Sequence, residues 1–279
     1  MGTAFTSVVL LATLFASSAM TASVAHSAAQ RTSAATSFGI LNGNLPMGRA
    51  AALRGDSYFY GDHGPVDYKQ AAAWYAQAAS DGDAYGQFSY GFVLLHGHGV
   101  EPDFAAARAM FLRAAAQGEV NAEYALGDMY YYGQGVTKDA TQAAQWYAKA
   151  AQQGHAYAQY SLGFLYSRGE GVARSQSRAV YWWYKAARRG NAHAQLRLGM
   201  LYRDGNGVGA SDVVAASFFA AAARQNEASA QFHLAQMYHF GRGVPRDLTS
   251  AQRWYKRAAQ QGHAQARYAL SRLLTAAVD

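Results

Sequence analysis

The stretch "LYSRGEGV", residues 165–172, places Gly169 and Gly171 one residue apart behind a tyrosine and ahead of a valine. A glycine-rich loop before a helix can cradle a phosphate, but that chemistry needs a strand leading into the loop. Here the preceding residues carry a helical pattern instead, with Ala158, Leu162 and Tyr166 at i, i+4 and i+8. The glycines therefore read as a turn between two helices.

The same pair recurs at Gly97/Gly99, Gly133/Gly135, Gly205/Gly207 and Gly241/Gly243, each 36 residues from the last. A degenerate copy stands one period earlier, at Gly61 and Gly64. Other columns keep the period. Alanine stands at 71, 107, 143, 179, 215 and 251. Trp74, Met110, Trp146, Trp182, Phe218 and Trp254 form a column whose next residue is always aromatic. Gly82, Gly118, Gly154, Gly190 and Gly262 close five repeats, and Asn226 closes the other. A period of this length marks a solenoid. Between 156 and 190 the pattern predicts one helix from Ala156 to about Tyr166 and a second from Ser175 to Arg188. Gly190 then supplies a left-handed cap. The fold class expected is all-α: an α/α superhelical solenoid of about six 36-residue helix pairs over residues 48–279, closed by a capping helix at about 264–275. The tryptophan column is expected to fill its core.

"AYAQYSLGFLYSRGEGVARSQSRAVYWWYKAARRG", 156–190, and "NAEYALGDMYYYGQGVTKDATQAAQWYAKAAQQG", 121–154, resemble the Sel1-like repeat family, a relative of the tetratricopeptide repeats. Departures are modest: Arg54 for Leu, Met110 for Trp, Ser175 and Ser211 for Asp, Asn226 for Gly. The resemblance implies helix pairs that bind other proteins. It implies an adaptor or regulator rather than an enzyme. The β-lactam hydrolysis linked to a cysteine-rich subgroup does not carry over, because this chain has no cysteine.

The 279-residue chain is 51% apolar and carries a net charge of +7. Without cysteine, disulfides and thiolate metal sites are excluded. The charge is uneven. Residues 1–139 hold 7 basic and 11 acidic side chains, so residues 140–279 hold 17 and 6 of the totals of 24 and 17. Residues 1–25 lack charged side chains, contain the apolar run Val8–Ala16 and end in Ser23-Val24-Ala25. They read as a signal peptide, which implies a periplasmic or secreted protein. No Lys or Arg precedes the apolar run, and Arg31, Arg49 and Arg54 come before any acidic residue. The alternative is a mitochondrial transit peptide and an assembly factor. Residues 26–47 read as a flexible lead-in. No later segment is apolar enough to span a membrane.

Positions that vary between repeats are expected to be free of packing. In the first helix these are the columns of Tyr157, Ser161, Phe164 and Arg168, spaced as one helical face. Their equivalents include Tyr85, Ser89 and Phe92, and Asn121, Ala125 and Asp128. That face is expected to be concave and to bind a protein or peptide partner with acidic groups through Tyr132, Tyr157, Phe164, Arg168, Arg197, Met200, Arg203 and His233. Nucleic acid is not expected, since no recognised motif accompanies the basic residues. No catalytic residue, cofactor or metal is expected: His96-x-His98 and His233 with His239 lack a carboxylate at ligand spacing. The competing class is an envelope-associated enzyme or a glycan- or peptidoglycan-binding protein on the same scaffold.

Overall fold

The computed structural model describes residues 45–62 and 64–275; the expected signal peptide and nearly all of the lead-in lie outside them. The described residues form thirteen helices and no strand. They are α1 (Met47–Tyr60), α2 (Tyr68–Ser80), α3 (Ala84–His96), α4 (Phe104–Ala116), α5 (Val120–Tyr132), α6 (Ala140–Gln152) and α7 (Ala156–Arg168). There follow α8 (Gln176–Arg188), α9 (Ala192–Asp204), α10 (Asp212–Arg224), α11 (Ala228–Phe240), α12 (Leu248–Gln260) and the expected last helix, α13 (Ala264–Thr275). They form two compact units that meet in sequence at Tyr157/Ala158, within α7.

Short polar signals fix each helix. Every second helix of a repeat begins after Asp67, Asp103, Asp139, Ser175, Ser211 or Asp247, whose side chain accepts a hydrogen bond from a first-turn N–H. The two serines are departures from the family pattern, yet they satisfy the same orphan donors. Gly61, Gly97, Gly133, Gly205 and Gly241 end first helices in the left-handed region. Asn226 adopts φ +68° where the other repeats use glycine.

The second glycine of the loop has a different task. A Cβ on Gly99, Gly135, Gly207 or Gly243 would overlap Tyr68, Phe104, Gln176 or Asp212, the opening residue of the previous repeat's second helix. One glycine turns the chain and the other lets successive repeats touch.

In the core the alanine column is fully buried. The ring beside it is the second aromatic of each pair: Tyr75, Phe111, Tyr147, Trp183, Phe219 and Tyr255 are all buried. Five of these rings lie flat on a glycine, at Gly55, Gly91, Gly127, Gly163 and Gly199, where a methyl group would collide with the ring. This corrects the expectation that the tryptophan column fills the core. Trp74, Trp146, Trp182 and Trp254 are half-buried. Arg54, Lys149, Lys185 and Arg257 lie over those rings at 3.9–5.3 Å. In α2 the buried residues Ala71, Tyr75 and Ala78 run i, i+4, i+7, which leaves Trp74 at the margin of the stripe.

Glutamines tie neighbouring repeats together within each unit. Gln117 donates to Gln87 at 2.9 Å and Gln153 to Glu123 at 2.8 Å. Gln225 donates to Gln195 and Gln261 to Gln231, both at 2.8 Å. The inner glutamines donate in turn to the backbone carbonyls of Ala79, Ala187 and Ala223.

Candidate functional site

In the N-terminal unit the variable face is largely closed. Tyr85, Ser89, Phe92, Asn121, Ala125 and Asp128 are buried, so these columns carry packing duties and the expectation that they are free is corrected. The physical reason is a set of compensated pairs. Tyr75 and Tyr85 each donate a phenolic hydrogen bond to Asp56, at 2.7 and 2.8 Å. Seventy-two residues later, Tyr147 donates to Asp128 at 2.6 Å. Burial pushes the Asp128 carboxyl up to about 7, and the hydrogen bonds from Tyr147 and Tyr124 offset this only in part. Burial also raises Tyr147, as does the nearby carboxylate.

A sequence signal for this existed. Nineteen residues separate Asp56 from Tyr75 and Asp128 from Tyr147, and the same spacing joins Phe92 to Phe111, Phe164 to Trp183 and Met200 to Phe219. In these five pairs a carboxylate faces a phenol and an apolar residue faces a ring without one; in the sixth, Gln236 and Tyr255, an amide takes the carboxylate's place and the phenol turns to His239.

Of the eight expected contact residues, two belong to this unit. Tyr132, at the C-terminal end of α5, is 38% exposed and meets Tyr131 edge-on. Tyr157 is half-buried, 6.2 Å from the His155 ring and 6.4 Å from Tyr124, and burial raises its phenol. His155 itself stacks on Tyr124 at 4.7 Å, and burial pulls it down to about 4.

The C-terminal unit holds the other six. Arg168 is exposed, its guanidinium 5.5 Å from the ring centre of half-buried Phe164 and paired with Glu170. Arg197 is exposed on α9. Arg203 makes a two-pronged contact to Asp204 and approaches His233 Nδ1 at 3.2 Å. The Arg203 hydrogen bond holds Asp204 below the usual carboxylate range. Met200 packs against the core around Phe219 and Leu234. His233 is half-buried between Phe219 and Phe232, 5.0 and 5.3 Å away, and burial lowers it. Met200 and His233 thus have packing roles, whereas Arg168 and Arg197 point a cationic face at solvent.

The remaining histidines among the described residues belong to ring clusters. His96 lies 4.5 Å from Phe92, and burial, then neighbouring His98, brings it down to about 4. His263 stacks on Phe232 at 4.8 Å and its Nδ1 accepts from the Ala266 N–H, which makes it a helix cap. Among the described residues no three His, Cys, Asp or Glu side chains are grouped to hold a metal ion.

Comparison with known proteins follows this geometry closely. The family model for the Sel1 repeat matches residues 48–83, 84–119, 120–155, 156–191, 192–227 and 228–263. Among solved structures the chain is similar to a protective antigen of uropathogenic Escherichia coli displaying an SLR fold. The identity is 33% and the TM-score 0.76, over 84% of this chain and 50% of that one. It is similar at 33% identity and TM-score 0.76 to a Sel1 repeat protein from Oxalobacter formigenes, over 81% of this chain and 65% of that one. The chain therefore spans less than two thirds of the length of either. An immunity protein from Pseudomonas aeruginosa shares the fold at 19% identity and TM-score 0.56, over 79% of this chain and 83% of that one. No curated protein sequence matches the chain.

Proposed function

The chain belongs to the Sel1 repeat family, whose members generally mediate protein–protein interactions as non-catalytic scaffolds, and from that premise we propose that it is an exported adaptor or regulator that receives an acidic protein or peptide on its first-helix face. One observation carries the reading. On α7 and α9 of the C-terminal unit, Arg168 and Arg197 are exposed, and Arg168 lies over the half-buried ring of Phe164. Only Glu170 and Asp204 bring negative charge to residues 168–204. A ring under a guanidinium offers apolar area together with a directional cation. A few such residues dominate most interfaces. In the N-terminal unit Tyr132 offers a further exposed ring in the column of Arg168. Export rests on the apolar run and the Ser23-Val24-Ala25 site.

The test begins with crosslinking in native envelope and identification of the partner by mass spectrometry. Arg197→Glu with Arg203→Glu should then slow association at low salt, with thermal unfolding of the chain little changed. Undiminished association in the folded double variant would reject the face. N-terminal sequencing of the native protein checks export; a chain starting at Met1 or Gly2 in the cytosol would reject it. Turnover of a murein or β-lactam substrate by the purified protein would replace the scaffold reading with an enzymatic one.

A further inference from the structure

The outer face of α8 differs from that of the other second helices. It carries Arg178, Tyr181, Tyr184, Arg188 and Arg189. The preceding repeat has Gln142, Gln145, Ala148, Gln152 and Gln153 at the equivalent positions, and the repeat before that has Ala106, Ala109, Leu112, Ala116 and Gln117. Together with Lys185 these side chains fall within an arc of about 140° on a helix of 3.6 residues per turn. The arc lies opposite buried Ala179, Trp183, Ala186 and Ala187. Tyr181 is 52% exposed and Tyr184 36%. Lys185 Nζ stands 4.8 Å from the centre of the Tyr181 ring and 5.3 Å from that of Trp182, and Arg178 lies 5.4 Å from that of Tyr166. None of Arg178, Lys185, Arg188 and Arg189 forms an ion pair among the described residues. Residues 171–203 contain no acidic side chain at all.

We propose that this face docks on the surface of an anionic phospholipid bilayer. The unpaired cations demand a polyanion, and the aromatic pair narrows the choice. Tyrosine and tryptophan rings favour the headgroup layer, where the ring is shielded and the polar tip stays wet. Basic side chains beside them are drawn to anionic headgroups. Tyr181 stands out on this ridge between cations with Trp182 edge-on beside it, while Tyr184 leans on the Phe218 ring and shares a hydrogen bond with the Tyr202 hydroxyl; an exposed ring among unpaired cations suits a soft planar surface. No helix of the described residues is long and apolar enough to cross a membrane, so the contact is a peripheral one. It is distinct from the first-helix face, which α8 does not contribute to.

The experiment exchanges this face for that of the preceding repeat: Arg178→Gln, Tyr181→Gln, Tyr184→Ala, Arg188→Gln and Arg189→Gln. Each new side chain is one the scaffold already carries at that position of the repeat, and circular dichroism with a thermal melt confirms the fold. Full-length protein of both kinds is sedimented with phosphatidylglycerol and with phosphatidylcholine vesicles, at low and high salt, and titrated with poly-glutamate. The apolar run 8–16 is common to both proteins and cancels in the comparison. The original chain should bind phosphatidylglycerol in a salt-sensitive way, and the exchange should weaken that binding by about thirtyfold or more, since three cations and two rings are removed. Equal binding by the exchanged protein, or equal binding to phosphatidylcholine, would overturn the proposal. So would tight capture of poly-glutamate by the original chain without vesicle binding, which would give the face to an acidic protein.

Discussion

Asp128→Asn tests the buried carboxylate through its pH dependence. Burial holds the carboxyl at about 7 in the folded chain, against an ordinary value of 3.8. Between those two values the folded state keeps a proton that the unfolded state has lost. Stability therefore falls as pH rises through that window, the reverse of an ordinary paired aspartate. From pH 5 to pH 8 the titration covers the two units up to pH 7. At about 1.4 kcal/mol per unit this costs about 3 kcal/mol. Asparagine removes that dependence. Its Oδ1 can still accept the Tyr147 hydroxyl, but its amide N–H group enters the place of Oδ2, which has no hydrogen-bond partner. An unmade buried hydrogen bond costs about 1–3 kcal/mol. At pH 5 the protonated carboxyl puts an O–H in the same unpartnered place, so the variant should be about level with the original at pH 5 and more stable than it by about 3 kcal/mol at pH 8. Urea unfolding followed by circular dichroism at both pH values reads this directly. Every other titrating group is shared, so the difference between the two proteins isolates residue 128. If both lose or gain stability in parallel, Asp128 does not titrate in this window and the burial argument fails.

The aromatic pair makes a second test: Tyr147→Ala should cost about 3–5 kcal/mol in urea unfolding, while half-buried Trp146→Ala should cost less than half as much. Equal losses would place both rings in the core. Gly127→Ala should destabilise by about 1–3 kcal/mol, because the added methyl meets the Tyr147 ring. Gly64→Ala, with open space around it, should leave the melting temperature unchanged or slightly raised. Ser175→Ala should lower stability by about 1 kcal/mol through loss of the cap on α8, and an unchanged melt would mean that the cap contributes nothing.

The repeat frame was legible in the sequence because its anchors are chemically irreplaceable. Left-handed turns demand Gly or Asn, helix starts demand Asp or Ser, and close helix contacts demand Ala or Gly. The choice of the buried ring was not legible, since Trp146 and Tyr147 are neighbours and both lie near the alanine stripe; the glycine that fits under Tyr147 decides it. The variable face was misread for a more instructive reason. Variation between repeats reads as freedom, whereas Asp56 and Asp128 differ from Phe92 and Phe164 in step with a phenol or its absence nineteen residues on. Compensation across a short fixed distance looks like neutrality when each column is read alone. The exposed cations of the C-terminal unit needed no such correction, because the charge imbalance is a property of composition.

The glutamine contacts between repeats also act as a gauge of length. Each joins residues thirty apart in the chain, whatever the loop between them contains. A single inserted residue in any intervening loop would have to be absorbed locally, or it would leave a buried amide facing the wrong neighbour. Such a chain is therefore divisible into cassettes, but only at one phase. A duplication or excision of 36 residues, cut at the loops, keeps these pairs in register and preserves an equivalent partner wherever it does not bring up Arg189, which stands in the glutamine's place. A cut of any other size strands one. Growth by whole repeats is thus open to this scaffold while drift in repeat length is not, and the six repeats of equal length keep that record.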